Sequence, residues 1–472
     1  MDCIAKTDTV DYQLSLTAPA RVVFVEGGET VLTPARWTPV LDGDRVPLDG
    51  DWHVIRWPFP VEETALVGRT NGFTAWEHVR QPGKVFYYDP EQSADSIPGW
   101  DRVTLAHIDP QDGAVISREV TVPAAWRGKR ILLRFEGIYP AGVLYWDGQQ
   151  VGEQWSGLTP IEIDITALAV PGAHTVAVRL YRRHPAVQLD MPRHALEFVG
   201  LNRSAFLHAV EIVHISDIRL QPELAADYVT GALGGDLVLR NTAIQACTAR
   251  LGLALTDPHG QEVAGAHYDV MLPAGGETTV TLAVPVGPVE PWSAERPRLY
   301  ACALSLSCEG QPEQVLTRRI GFRRFELGGG RPRLNGHPVK FRGVNHLTFH
   351  PTEGMHTPID WLRQSLTLMK RANVNAIRTH FFAPEELAAL CDEMGLYLLQ
   401  ELPLDWGTHY LQDPALFGPM LHRMEACVRR DRNHPALMIW CIGNENMPET
   451  EAAYVAGITH LNQCEAMVKR LD

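Results

Sequence analysis

The apolar run Leu437-Met438-Ile439-Trp440-Cys441-Ile442 constrains this 472-residue chain more than any other feature. It carries no polar alternation, so as a strand it asks for cover on both faces, the situation of a parallel strand in an α/β sheet. It follows Arg432-Asn433-His434-Pro435-Ala436 and runs into Gly443-Asn444-Glu445. In parallel α/β architectures the reacting groups gather at the carboxyl edge of the strands. An asparagine and a carboxylate delivered there read as chemistry. A hydrogen-bonded pair that merely ties down a neighbouring loop is the plainer alternative.

Such a strand needs parallel neighbours, and the residues before it supply three more strand-helix units. Phe341-Arg342-Gly343-Val344-Asn345 precedes a helix with Thr357 as cap and Pro358 in its first turn, carrying Leu362, Leu366 and Met369 on one face. Ala376-Ile377-Arg378 precedes a helix with Leu387, Leu390 and Met394 inward and Gly395 at its end. Leu396 to Leu402 precedes a third, capped by Asp413-Pro414, with Leu416, Met420, Met424 and Cys427 at helical spacing. After Glu445, residues Tyr454, Ile458, Leu461 and Val468 mark a last helix. These units are the first half of a (β/α)8 TIM barrel, because residues 326–472 fall far short of the about 250 that a whole barrel takes. Strands one and four would then each present an unpaired edge.

Upstream the period is two. Ile131, Leu133 and Phe135 share one face, residues 143–151 form a hairpin turning at Asp147-Gly148, and a strand over 175–180 follows the turn Pro171-Gly172. Short strands punctuated this way predict a jelly-roll-like β-sandwich over residues 1–215. Alternation at Leu251, Leu253, Leu255 and again at Cys302, Leu304, Leu306 predicts an immunoglobulin-like sandwich over 216–325. The expected chain is therefore multidomain, two sandwiches followed by half a barrel over 326–472.

Composition removes several function classes. A net charge of −14 argues against a broad nucleic-acid surface, and no stretch approaches the about 20 apolar residues of a membrane span. The start, Met1 to Asp8, lacks a basic segment followed by an apolar core, so a cytoplasmic protein is expected. The eight cysteines show no Cys-x-x-Cys pair or zinc spacing and read as reduced, mostly buried thiols.

The run from Arg432 to Glu445 resembles the acid/base signature of glycoside hydrolase family 2, which contains β-galactosidases, β-glucuronidases and β-mannosidases. Phe341 to His346 resembles the Arg-Gly-Val-Asn segment of that family, and residues 155–166, beginning at Trp155, resemble part of its sugar-binding domain. The resemblance implies a retaining exo-β-glycosidase in which Glu445 is the general acid/base, with a pKa raised by partial burial and a second carboxylate. It implies sugar contacts for Asn444, Arg378, His380, Asn345 and His346, with Arg378 orienting a catalytic carboxylate. Glu401 and Trp406, at the end of strand three, are further binding candidates. Metal-dependent β-galactosidases carry a Glu-x-His pair after that strand. The aligned positions here are Asp405 and Gly407, so neither an essential magnesium ion nor another cofactor is expected.

The family nucleophile lies on strand seven, so no residue of this chain inherits that role. The expected partners are a carbohydrate and either further copies of the chain or a chain supplying the other half barrel, and the 472 residues alone are expected to be inactive. A non-catalytic carbohydrate-binding or scaffold protein with an incomplete barrel is the alternative. An inverting reaction using Glu445 with Glu401 or Asp405 fits the retaining family less well.

Overall fold

Alternating apolar residues build two face-to-face sheets in the first part of the chain. The computed structural model describes residues 21–26, 29–33, 38–40, 45–56, 77–81, 83–84, 113–154, 156–181, 190, 199–351, 353–404, 417–446 and 451–472. Trp155, Trp406, Asp405, Gly407, Leu416 and the cap Asp413-Pro414 lie outside them. One antiparallel sheet has Gly172–Tyr181 between Gly142–Trp146 and Gly113–Val122; the other has Arg130–Phe135 between Ile161–Asp164 and Ala205–Val210. Trp52, Ile116, Leu133, Phe135, Leu144, Trp146 and Val178 fill the space between them. The hairpin turns where expected, with Asp147 at φ 48° and Gly148 at φ 82°, the paired positive angles of a two-residue turn matched to strand twist.

The second sandwich opposes a three-stranded sheet, centred on Thr230–Asn241, to a four-stranded one ordered Glu262–Leu272, Cys247–Thr256, Tyr300–Cys308 and Gln314–Ile320. Leu237, Leu251, Leu255, Leu304 and Phe322 form its core.

Then the pattern changes to parallel strands, Gly343–His346, Ala376–Thr379, Tyr397–Glu401 and Leu437–Cys441, hydrogen-bonded in that order. We call these strands one to four. The helices after them are Ile359–Arg371, Glu385–Met394, Phe417–Asp431 and Glu451–Leu471, helices one to four. Ile377 and Leu398 on the outer face of the sheet pack with Leu362, Leu366, Leu387 and Leu390 of helices one and two. Helix two ends at Gly395 with φ 74°, where a Cβ would stand 2.2 Å from the Ala294 carbonyl oxygen, so a larger residue there would push the second sandwich away. Helix one departs from expectation. Pro358 holds its N-cap position with no side-chain cap bond, so Thr357 is not the cap.

The sheet is half a barrel with an open inner face. Strand four is an edge, as expected, but it is not covered on both faces: Ile439 is 37% exposed. Helix four exists as expected, yet Tyr454 and Ile458 stand exposed beside Val455, while Cys464, Met467, Val468 and Leu471 carry its buried face. Ile359 and Leu368 of helix one are exposed too. Both ends of the half barrel thus offer apolar surface where an adjoining βα unit would pack.

The residues before strand four fasten the half barrel to the second sandwich. Arg432 donates to Asp217 Oδ1 at 2.7 Å and to the Ile218 carbonyl at 2.9 Å, and Asn433 Oδ1 accepts from the Leu220 N–H at 2.7 Å. His434 Nδ1 lies 2.5 Å from Asp392 Oδ2, whose other oxygen accepts the Ala436 N–H at 2.8 Å. Burial opposes charging His434, but the Asp392 carboxylate, by charge and hydrogen bond, outweighs it and the imidazole is pushed up to about 9.

This pair has a pH signature. The folded-state value lies above the unfolded one, near 6.5, so the stabilisation is fully present below about pH 6.5 and is lost as pH rises through about 9. We predict that the stability gap between the natural chain and His434→Gln, followed by chemical denaturation, shrinks between pH 7 and 10. A gap that stays constant or widens over that range would contradict the assignment.

Candidate active site

Strand alternation decides which side chains reach the open inner face. Arg378 of strand two and His380 just after it stand there with Leu399 and Glu401 of strand three, while Ile377, Thr379, Leu398 and Gln400 face the helices. Glu401 is fully buried, and a buried carboxylate costs several kcal/mol unless paired and hydrogen-bonded. Three groups converge on it. Arg378 Nη2 bonds Oε2, His380 Nδ1 lies 3.3 Å from Oε1, and the Phe381 N–H donates to Oε1 at 3.4 Å. The Glu401 N–H in turn donates to Thr379 Oγ1 at 2.9 Å, which fixes strand three against strand two.

Arg378 is the centre of the cluster. Besides Glu401, it donates to Asn444 Oδ1 at 2.7 Å and Asn345 Oδ1 at 3.3 Å, joining strands one, two and three to the loop after strand four. Phe381 takes φ 82°, a left-handed angle costly for an aromatic residue, and stacks on the His380 ring at 4.4 Å. That conformation is held from the first sandwich and from helix three. Arg203 of the first sandwich donates to the Phe382 carbonyl, and Arg430 of helix three covers the Phe382 ring at 4.0 Å and donates to the Ala383 carbonyl at 2.6 Å.

After strand four the Asn444 N–H donates to the Leu404 carbonyl at 3.0 Å, and Glu445 follows at φ 48°, a second non-glycine residue held in the left-handed region at this edge. The partial burial expected of Glu445 is not met; its side chain is exposed because the facing wall of the barrel is open. His346 does not join the cluster. It follows Asn345 on the strand, so its ring turns outward, lies 3.4 Å from Ser365 Oγ of helix one, and is kept below its ordinary pKa by burial. Asn345, Arg378, His380, Glu401 and Asn444 are therefore brought together, with Glu445 at their edge.

Cys441 belongs to the same face and was not singled out by the sequence. Burial raises its thiol against the opposing pull of the Arg378 charge. Its position two residues before Gly443, opposite Glu401 in register, was the readable signal. Thr379 and Phe381 were also missed, because a backbone angle and a side-chain bond to a backbone N–H leave no mark in spacing.

Comparison with known proteins gives three consecutive matches: the sugar binding domain of glycosyl hydrolases family 2 over residues 102–210, the family 2 domain over 213–323, and the family 2 TIM barrel domain over 325–472. The chain belongs to glycosyl hydrolase family 2. It is 28% identical over 397 residues to a β-galactosidase of Halalkalibacterium halodurans, covering 79% of this chain and 38% of that one. It is 32% identical over 361 residues to a β-galactosidase of Aeromonas hydrophila, covering 70% and 33%. The fold is that of a Bacteroides uniformis β-glucuronidase, at TM-score 0.76 and 22% identity over 91% of this chain and 51% of that one. A β-glucuronidase from Ruminococcus gnavus in complex with uronic isofagomine gives TM-score 0.74 at 22% identity, over 93% and 74%. The family 2 chain thus spans between a third and two fifths of the length of these two β-galactosidases.

If Arg378 offsets the burial of Glu401, removing it alone leaves an uncompensated buried charge. We predict that Arg378→Met lowers stability by about 3 kcal/mol, and that Arg378→Met combined with Glu401→Leu recovers most of it. A double-mutant cycle by urea unfolding checks this; additive losses would show the two side chains to be independent.

Proposed function

We propose that the chain carries the acid/base half of the working surface of a retaining exo-β-glycosidase that removes terminal β-linked sugars. The observation that carries this reading is the convergence of Asn345, Arg378, His380, Glu401 and Asn444 at the carboxyl edge of the strands, beside Glu445. Glu445 is the general acid/base in this account: it protonates the departing glycosidic oxygen and later takes a proton from the attacking water. Asn444, aimed by Arg378, holds a sugar hydroxyl, a contact that strengthens as positive charge develops at the anomeric carbon. His380 and Asn345 offer further polar contacts.

A retaining reaction needs a second carboxylate about 5 to 5.5 Å from the first. Glu401 is bound on both oxygens and buried, so it is the orienting charge of the site and not the attacking group. The nucleophile comes from a further segment whose strands five to eight close the barrel against strands one and four. The exposed Ile439 and the apolar residues on helices one and four, Leu368 and Val455 among them, are where that segment docks. On this reading the present residues alone do not turn over substrate. The similarity to β-galactosidases at 28 to 32% identity supports a β-glycoside as substrate and favours galactoside over glucuronide, for which the likeness is one of fold alone.

In the closed enzyme, Glu445→Ala is expected to slow substrates with poor leaving groups by several powers of ten and activated aryl glycosides far less, with azide partly restoring turnover. Steady-state rates on both substrate types check this. Equal losses without azide rescue would remove Glu445 from the acid/base role.

A further inference from the structure

We propose that Asp431, at the end of helix three, is a positioning residue for Glu401 and His380, acting through a buried chain of hydrogen bonds behind the sheet. Its catalytic consequence rests on the glycosidase reading above; its geometry does not. A carboxylate is poorly placed at this point. Asp431 is fully buried and is the last residue of helix three, where the helix dipole already gathers negative charge. Arg430 offsets part of that cost, its Nε donating to Oδ1 at 2.6 Å and its Nη2 to Oδ2 at 2.8 Å. Gln400 Nε2 donates to the same Oδ2 at 3.2 Å.

That contact fixes the direction of every other link. An ionised carboxylate only accepts, so Gln400 turns its NH2 to Asp431 and its Oε1 to the opposite side. There Thr379 Oγ1 donates to Oε1 at 3.3 Å. With its proton so committed, the hydroxyl keeps its lone pairs for the Glu401 N–H, which it receives at 2.9 Å. Each donor, from the Glu401 backbone through Thr379 and Gln400, therefore points toward Asp431. All three side chains are buried, and in that low dielectric a reversed or broken link is costly.

A second arm of the same hub reaches His380. Arg430, held by Asp431, donates from Nη2 to the Ala383 carbonyl at 2.6 Å and covers the Phe382 ring at 4.0 Å. Residues 382–383 directly follow Phe381, whose N–H meets Glu401 Oε1 and whose ring stacks on His380. Helix three thus grips the backbone of Glu401 from behind strand three and the chain just beyond His380. Both grips meet at one carboxylate, so Asp431 sets Glu401 and His380 relative to each other.

The test reverses one link. Asp431→Asn sets an amide donor against the Gln400 NH2, and Gln400→Glu sets two carboxylates face to face. The double variant restores donor to acceptor at nearly unchanged shape. In the deuterated, 15N-labelled chain, the assigned Glu401 N–H resonance should shift in each single variant and return toward its natural position in the double. Loss of stability alone does not move a resonance of the folded chain. In the closed enzyme each single variant should lower kcat roughly 10- to 100-fold with KM little changed, and the double should recover most of the loss. If a single variant does not fold, Thr379→Val, which keeps the shape and removes the hydroxyl, carries the same two readouts. An unmoved Glu401 resonance, or a double variant no better than the worse single one, would overturn the proposal. A resonance shifted and then restored, in a closed enzyme that turns over no glycoside even unmutated, would overturn the glycosidase reading and leave the positioning role standing.

Discussion

The buried carboxylate of Glu401 sets the organisation of the strand edge. At zero exposure it is tolerable only with charge and hydrogen bonds brought to it, and Arg378, His380 and the Phe381 N–H bring them. Arg378, committed to that carboxylate, has donors left for Asn345 and Asn444, and so fixes the two amides in one plane of the open face. The polar groups of the strand edge are thus preorganised through an ion pair already present for folding, and on the proposed reading little reorganisation is needed when a sugar arrives.

The rest of the chain steadies this edge from two sides. Arg203 and Arg430 hold residues 382–383, and with them the strained Phe381 and the direction of His380. Arg432, Asn433 and His434 bind strand four to the second sandwich and to Asp392. The first residues of the run that ends in Glu445 are accordingly architectural, and its last residues reach the polar cluster. On the proposed reading, function and packing share one motif because the strand that carries Glu445 must be aligned before the carboxylate can be aimed.

Much of this was legible in the sequence. The switch from period two to strand-helix units gave the order of domains, and Gly395 and Asp147-Gly148 marked turns that depend on positive φ. Arg378, Glu401 and Asn444, each read from the carboxyl end of an apolar strand, do lie together. His346 was included with Asn345 although consecutive strand residues face opposite sides, and strict alternation would have sent it to helix one. Tyr454 and Ile458 have core spacing, but no element of the described residues covers them, so helical period alone could not tell buried from exposed. The exposure of Glu445 has the same origin, and its left-handed backbone could not be read from Asn444-Glu445 alone.

The central claim is that this half barrel carries the acid/base carboxylate while a further segment carries the nucleophile. The most direct measurement is proton NMR of an aryl β-glycoside incubated with the 472-residue chain, first alone and then with a segment supplying strands five to eight. The account predicts no turnover by the chain alone and, on addition of the segment, release of the β-anomer of the sugar before mutarotation. Hydrolysis by the verified chain alone, or release of the α-anomer by the assembled pair, would contradict it.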